Sequence, residues 1–257
     1  MDIFTLTMLL LASILGSSLN AVAGGGGFIT YPSLIFSNIP NLNANGISTV
    51  ALWPGNITSA VAYRKDIELS RKLILYFVMS ISLGGFVGAY LFLNTSSTLF
   101  SIFVPFFLLF TWLLFVFSKT IRNYFSSYLT DLHFITPNYF HIVFMFFIGI
   151  YGGYFGAGLG MIILTAFSLL GLKKLNEMNG IKVILVSFNN GIAALTYIFS
   201  GIVIWQYTLV MIIGALIGGF YGAKLTRQIN QNFLHNFVIV IGAIITLIFF
   251  YKQYFIK

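Results

Sequence analysis

The chain has 257 residues, 59% of them hydrophobic and 7% charged, with a net charge of +8 and no cysteine. Apolar runs of about 18 or more residues recur along it, which excludes a soluble globular domain and, in lipid, requires helices. Disulfides, thiolate chemistry and cysteine-based metal sites are excluded too. The basic residues sit mostly in short loops, so membrane orientation explains them better than nucleic acid does.

Hydropathy predicts apolar segments at about 4–22, 27–37, 46–63, 73–93 and 98–118, then at about 139–155, 159–171, 178–199, 206–224 and 234–252. Phe4–Val22 reads as a retained helix rather than a signal peptide, because Asp2 stands where a basic region is required. The second segment of each half is too short to span ~30 Å at ~1.5 Å per residue. Each follows a glycine-rich break, Gly24-Gly25-Gly26-Gly27 in one half and Gly156-Ala157-Gly158-Leu159-Gly160 in the other. Both therefore read as half-helices that return from the break. Residues 119–138 mix charged and aromatic side chains and read as a cytoplasmic amphipathic linker.

A shift of 134 positions superimposes the halves without gaps. Asn45-Gly46-Ile47 falls on Asn179-Gly180-Ile181, Asn56 on Asn190, Tyr63 on Tyr197, and Gly24 and Gly26 on Gly158 and Gly160. Loop charge swaps sides between the halves. Loop 64–72 holds Arg64, Lys65, Arg71 and Lys72, whereas 198–206 has no Lys or Arg. Loops 38–45 and 94–97 are uncharged, whereas 172–178 holds Lys173 and Lys174, and 224–233 holds Lys224 and Arg227. The positive-inside rule then inserts the halves upside down relative to each other. The expected fold is an all-α polytopic membrane protein of two inverted five-segment repeats with glycine-rich broken or re-entrant helices. Its divisions are repeat one at 1–118, the linker at 119–138 and repeat two at 139–257.

Paired glycine breaks expose backbone N–H groups at the positive end of a half-helix, an arrangement that favours an anion. Gly24, Gly25, Gly26, Gly27, Gly156, Gly158 and Gly160 are therefore candidate substrate ligands, with close helix packing as the alternative. The stripes Gly84/Gly85/Gly88 and Gly218/Gly219/Gly222 are expected to pack helices. Lys182 is the one charged residue well inside an apolar segment. It reads as an anion countercharge or as a lysine snorkelling to the interface. Asn56 and Asn190, near the middle of equivalent segments, offer amide donors or interhelical glue; Thr49 and Ser187 are weaker candidates. His133 and His141 are too far apart to suggest a metal site. No nucleophile–base pair or P-loop is evident, so no catalytic residue, metal or cofactor is expected.

Ala23–Pro32 resembles the first-repeat signature of the TauE/SafE sulfite exporter family, and Asn45–Asn56 resembles the segment that follows it. Phe155–Gly160 is similar to the second-repeat signature, and Ile181–Ile184 and Gly201–Trp205 also resemble family positions. The resemblance implies a multi-pass protein of a bacterial inner membrane that exports small anions such as sulfite and organosulfonates. The expected partners are a small anionic substrate and the lipid bilayer, with homodimerisation left open and no nucleic acid. The alternatives are an anion channel and a non-transporting membrane assembly partner.

Overall fold

The computed structural model describes residues 2–67, 69–126, 139–169, 172, 175–225 and 231–255. All regular structure among them is helical: α1 (Ile3–Ala23), α2 (Gly27–Phe36), α3 (Asn41–Tyr63), α4 (Arg71–Leu93), α5 (Ser97–Ser126), α6 (Tyr139–Tyr154), α7 (Leu159–Leu169), α8 (Leu175–Phe199), α9 (Trp205–Leu225) and α10 (Gln231–Tyr254). By length and composition α1, α4, α8 and α9, together with 97–117 of α5, are apolar enough to cross a membrane. With 10 and 11 residues, α2 and α7 are too short to do so.

Most helix ends fall within three residues of the hydropathy segments, and the exceptions have local causes. α3 starts at Asn41 rather than near 46 because its polar first turns find protein partners. The Asn41 amide donates to Ser101 Oγ, and Asn43 donates to the Ile202 carbonyl at 2.7 Å. α5 runs on through 119–126, into the segment expected to be linker. The remaining linker, 127–138, lies outside the described residues, as do Lys173, Lys174 and Arg227.

Packing crosses between the halves. α1 lies along α9, and α3 also packs on α9; α6 lies along α4, and α8 also packs on α4. Two helix bundles result, α1/α3/α9 and α4/α6/α8, and they meet where α3 packs on α8. Both small-residue stripes are packing surfaces that bring backbones together. A Cβ on Gly84 or Gly88 would strike α6 at Ile150 or Tyr154, and one on Gly218 or Gly222 would strike α1 at Ile14 or Ser18. Side chains then bond across these seams. Asn189 donates to the Ile81 and Gly149 carbonyls at 2.8 and 3.1 Å, joining α8 to α4 and α6. Ser59 of α3 donates to the Gly219 carbonyl of α9 at 2.9 Å. Apolar packing gives helices no hydrophobic advantage over lipid, so small residues and polar cross-links of this kind supply the association.

Candidate substrate site at the crossing of two broken helices

Each break begins with a glycine in the left-handed region. Gly24 (φ 82°) ends α1, its N–H turning back to the Asn20 carbonyl at 3.0 Å. Gly156 (φ 73°) follows α6 and bonds back to the Tyr151 carbonyl at 3.3 Å. An L side chain in this conformation is strained, which is why glycine stands at both turns. Two residues further on, Gly158 repeats the conformation at φ 76°. The chain then re-enters helix as α2 and α7.

The two breaks touch. A Cβ on Gly24 would collide with the Gly160 backbone, and one on Gly27 would lie 2.7 Å from Ala157 Cα. Gly25 packs on Met161, and Gly158 packs on Thr111 and Phe28. In this conformation the backbones leave no room for an ion between Gly24 and Gly160.

Lys182 lies just beside this crossing and is fully buried. Its three ammonium hydrogens have three acceptors: the Asn20 carbonyl at 3.1 Å, the Ala21 carbonyl at 2.9 Å and Asn179 Oδ1 at 3.0 Å. The two carbonyls end α1, so the lysine meets the negative pole of that helix. All three partners are formally neutral oxygens, with no carboxylate among them. The lysine is thus held inside the protein rather than snorkelling to an interface.

The other half carries a counterpart. Asn45 donates to the Tyr154 carbonyl, the last of α6, at 3.1 Å. Asn45 matches Asn179, and Tyr154 matches Asn20, under the same 134-residue shift. The third helix of each half thus caps a helix end in the opposite half, α3 directly through Asn45 and α8 through Lys182, which Asn179 holds in place. Around the first break the polar chain continues: Gly26 N–H donates to Asn20 Oδ1 at 3.4 Å, and Asn20 Nδ2 donates to Asn56 Oδ1 at 2.6 Å.

A small, largely enclosed cavity lies to one side of the crossing. Gly27 and Tyr31 of α2, Asn45, Ser48 and Thr49 of α3, Gly156 and Ala157 of the second break, and Asn190 of α8 contribute its wall. At about 10 Å³ of space for the centre of a water-sized sphere, it holds about one water. A Cβ on Gly156 would meet nothing nearer than the Gly152 carbonyl at 3.0 Å, with Asn190 Oδ1 at 4.0 Å. Ser48 and Thr30 share a hydrogen bond of 2.7 Å at its back.

Gly27, Thr49, Gly156 and Asn190 are thereby brought to one cavity, whereas Gly24, Gly25, Gly158 and Gly160 serve the crossing itself. Gly26, Asn56 and Lys182 belong to the polar cluster on the α1 side. Ser187 is buried and donates along its own helix to the Val183 carbonyl at 2.6 Å. Asn56 Nδ2 and Asn190 Oδ1, at equivalent positions, are both buried with no hydrogen-bond partner. An unmade bond at such an atom costs ~1–3 kcal/mol, and this pair stands out among several such atoms in the described residues by its equivalent positions in the two halves.

Sequence reasoning passed over Asn20, Asn45 and Asn179. The signal for two of them was present in the matched Asn-Gly-Ile tripeptides, which placed identical amides at equivalent positions. Asn20 had no counterpart amide, since its partner position is Tyr154.

Residues 9–249 match the family model described as sulfite exporter TauE/SafE. A Haemophilus influenzae protein named "probable membrane transporter protein" is 26% identical over 254 residues, covering 96% of this chain and 95% of the relative. A Sinorhizobium protein, "probable membrane transporter protein ORF9", is 24% identical over 92% of this chain and 89% of its own length. The Bacillus subtilis "probable membrane transporter protein YunE" is 24% identical, with 88% and 89% covered. No solved structure gives a significant match. The broken helices, the apolar spans and a family match over almost the whole length agree, and the chain belongs to the TauE/SafE sulfite exporter family of multi-pass membrane transporters.

Proposed function

We propose that the protein is a secondary transporter that exports a small anion of the sulfite or organosulfonate type by alternating access. The observation that carries this reading is Lys182: a buried ammonium at the crossing of two broken helices, bonded to neutral oxygens alone. Its charge offsets the negative end of α1 and leaves the positive N-terminal end of α2 without an opposing pole nearby, a field that suits an anion. Gly27 and Gly156 backbone together with Thr49 and Asn190 side chains are the proposed ligands; rotation of the Asn190 amide exchanges its acceptor for a donor.

The cavity is too small for such an ion, so this conformation is read as closed, and loading requires the crossing to part. Two inverted units suit that motion, and the capping of the α1 and α6 ends, each by a side chain from the other half of the chain, supports the inversion. The moving bodies proposed are α1/α3/α9 and α4/α6/α8, sliding along α3 and α8, rather than the two halves of the chain. An inside-negative potential favours anion exit by ~2.3 kcal/mol per charge per 100 mV, so uniport suffices energetically.

The test is flux from proteoliposomes loaded with sulfite, thiosulfate, a small sulfonate or chloride as control. Saturable efflux of an oxyanion, accelerated by the appropriate potential, is expected. Efflux of none of them, or single-channel currents in a planar bilayer, would overturn the reading.

A further inference from the structure

A second cavity lies on the outer surface, away from the crossing. It is an open groove of about 660 Å³ between the end of α3, the start of α4 and the middle of α8. Ile57, Val61, Leu75 and Phe188 line it, 45–57% exposed, and Arg64 and Arg71 also contribute to it. α3 ends just before Arg64 and α4 begins at Arg71, so both helices lead away from the loop that joins them. The two guanidinium groups therefore mark one end of the groove, and the apolar residues extend about 10 Å from it, two helical turns along each wall.

We infer that this groove is a binding site for an anionic phospholipid, with the phosphate held by Arg64 and Arg71 and an acyl chain lying along Ile57, Val61, Leu75 and Phe188. Charge complementarity selects this occupant. Guanidinium groups form bidentate bonds with phosphate oxygens. The joining loop carries Arg64, Lys65, Arg71 and Lys72 against Asp66 and Glu68, a basic excess at the level of a membrane surface. Basic pockets between membrane helices on the cytoplasmic side are where anionic headgroups bind. The apolar continuation separates this ligand from a free inorganic anion, for which Ile57 and Phe188 offer nothing. The groove also has a mechanical position: it touches α3, α4 and α8, so a lipid seated there contacts both helix bundles.

The experiment is native mass spectrometry of the delipidated protein titrated with phosphatidylglycerol or phosphatidylcholine of the same acyl chains. Wild type should retain phosphatidylglycerol in preference to phosphatidylcholine. The double variant Arg64→Gln/Arg71→Gln should bind phosphatidylglycerol about thirty-fold more weakly, the combined worth of two basic residues at an anionic headgroup. Arg64→Lys/Arg71→Lys should recover part of that loss. Ala60→Trp, which fills the groove wall, should weaken both lipids and leave the arginines untouched. The inference fails if wild type shows no headgroup preference or if the Gln variant binds as wild type does. It also fails if sulfite alone displaces the lipid, which would make the groove an anion vestibule, or if Ala60→Trp changes the monomer–dimer ratio instead of lipid retention.

Discussion

The Lys182 ammonium donates to the Asn20 carbonyl across 3.1 Å, tying α8 to the end of α1 over 162 positions of sequence. The bond joins a charge to a helix terminus, and it does so at the point where the second half of the chain crosses the first. Lys182→Met keeps an unbranched side chain, one atom shorter, and leaves the Asn20 and Ala21 carbonyls without their donor. Hydrogen bonds to a charged group are worth ~1.5–3 kcal/mol, so a lower thermal midpoint is expected in detergent. Lys182→Arg should keep part of both stability and flux, and Lys182→Gln should weaken apparent anion affinity at least about ten-fold, ~1.4 kcal/mol. Unchanged affinity in Lys182→Gln at matched expression would leave the lysine a purely structural strap.

The glycines divide into two groups with different expected phenotypes. Gly24→Ala and Gly160→Ala push a methyl group into the opposing backbone, so poor expression and loss of the folded monomer in size-exclusion chromatography are expected. Gly156→Ala meets more open space and bears mainly the left-handed backbone penalty of ~1–2 kcal/mol. That variant should fold and show altered flux. Equal stability in Gly24→Ala and Gly156→Ala would contradict the contact between the breaks.

Neighbouring asparagines on α8 make a second contrast. Asn189 bridges the Ile81 and Gly149 carbonyls, so Asn189→Ala should lower the thermal midpoint with a loss of order 1–3 kcal/mol. Asn190 faces the cavity with Oδ1 unpartnered, so Asn190→Ala should hold its stability and lose about ten-fold or more of its transport. A reversed pattern, with Asn190→Ala the unstable variant, would assign Asn190 to packing.

Inversion of the halves is testable because the chain has no cysteine of its own. Lys65 follows α3, and Ser200 follows the equivalent helix α8; both are exposed. Single variants Lys65→Cys and Ser200→Cys should react with an impermeant maleimide from opposite faces of a sealed vesicle. Lys224→Cys should share the face of Lys65→Cys. Labelling of Lys65→Cys and Ser200→Cys from one face would reject inversion.

Much of the fold was legible because apolar length and glycine position are local properties. The turns at Gly24 and Gly156 could be read directly, since few residues other than glycine tolerate those backbone angles. The contacts that make the site were harder to see. Lys182 binds main-chain carbonyls, and any residue at 20 or 21 offers one, so the sequence carries no trace of the pairing. The contact of Gly24 with Gly160 likewise depends on how two half-helices cross. For Asn45 and Asn179 the information was present, as identical residues at equivalent places, yet their purpose becomes apparent only with Tyr154 beside Asn45 and Lys182 beside Asn179.

The exchange of helices between the two bundles also bears on assembly. Each bundle takes two members from one half of the chain and one from the other, so neither half owns a complete set of neighbours. A polypeptide ending near residue 126 would expose the α9-facing side of α1 and the α6-facing side of α4, with the α4 glycine stripe uncovered. The same chain severed within 127–138 and produced as two fragments in one cell would still hold every cross-half contact described. Complementation by paired fragments, with neither persisting by itself, is the behaviour this interleaving dictates.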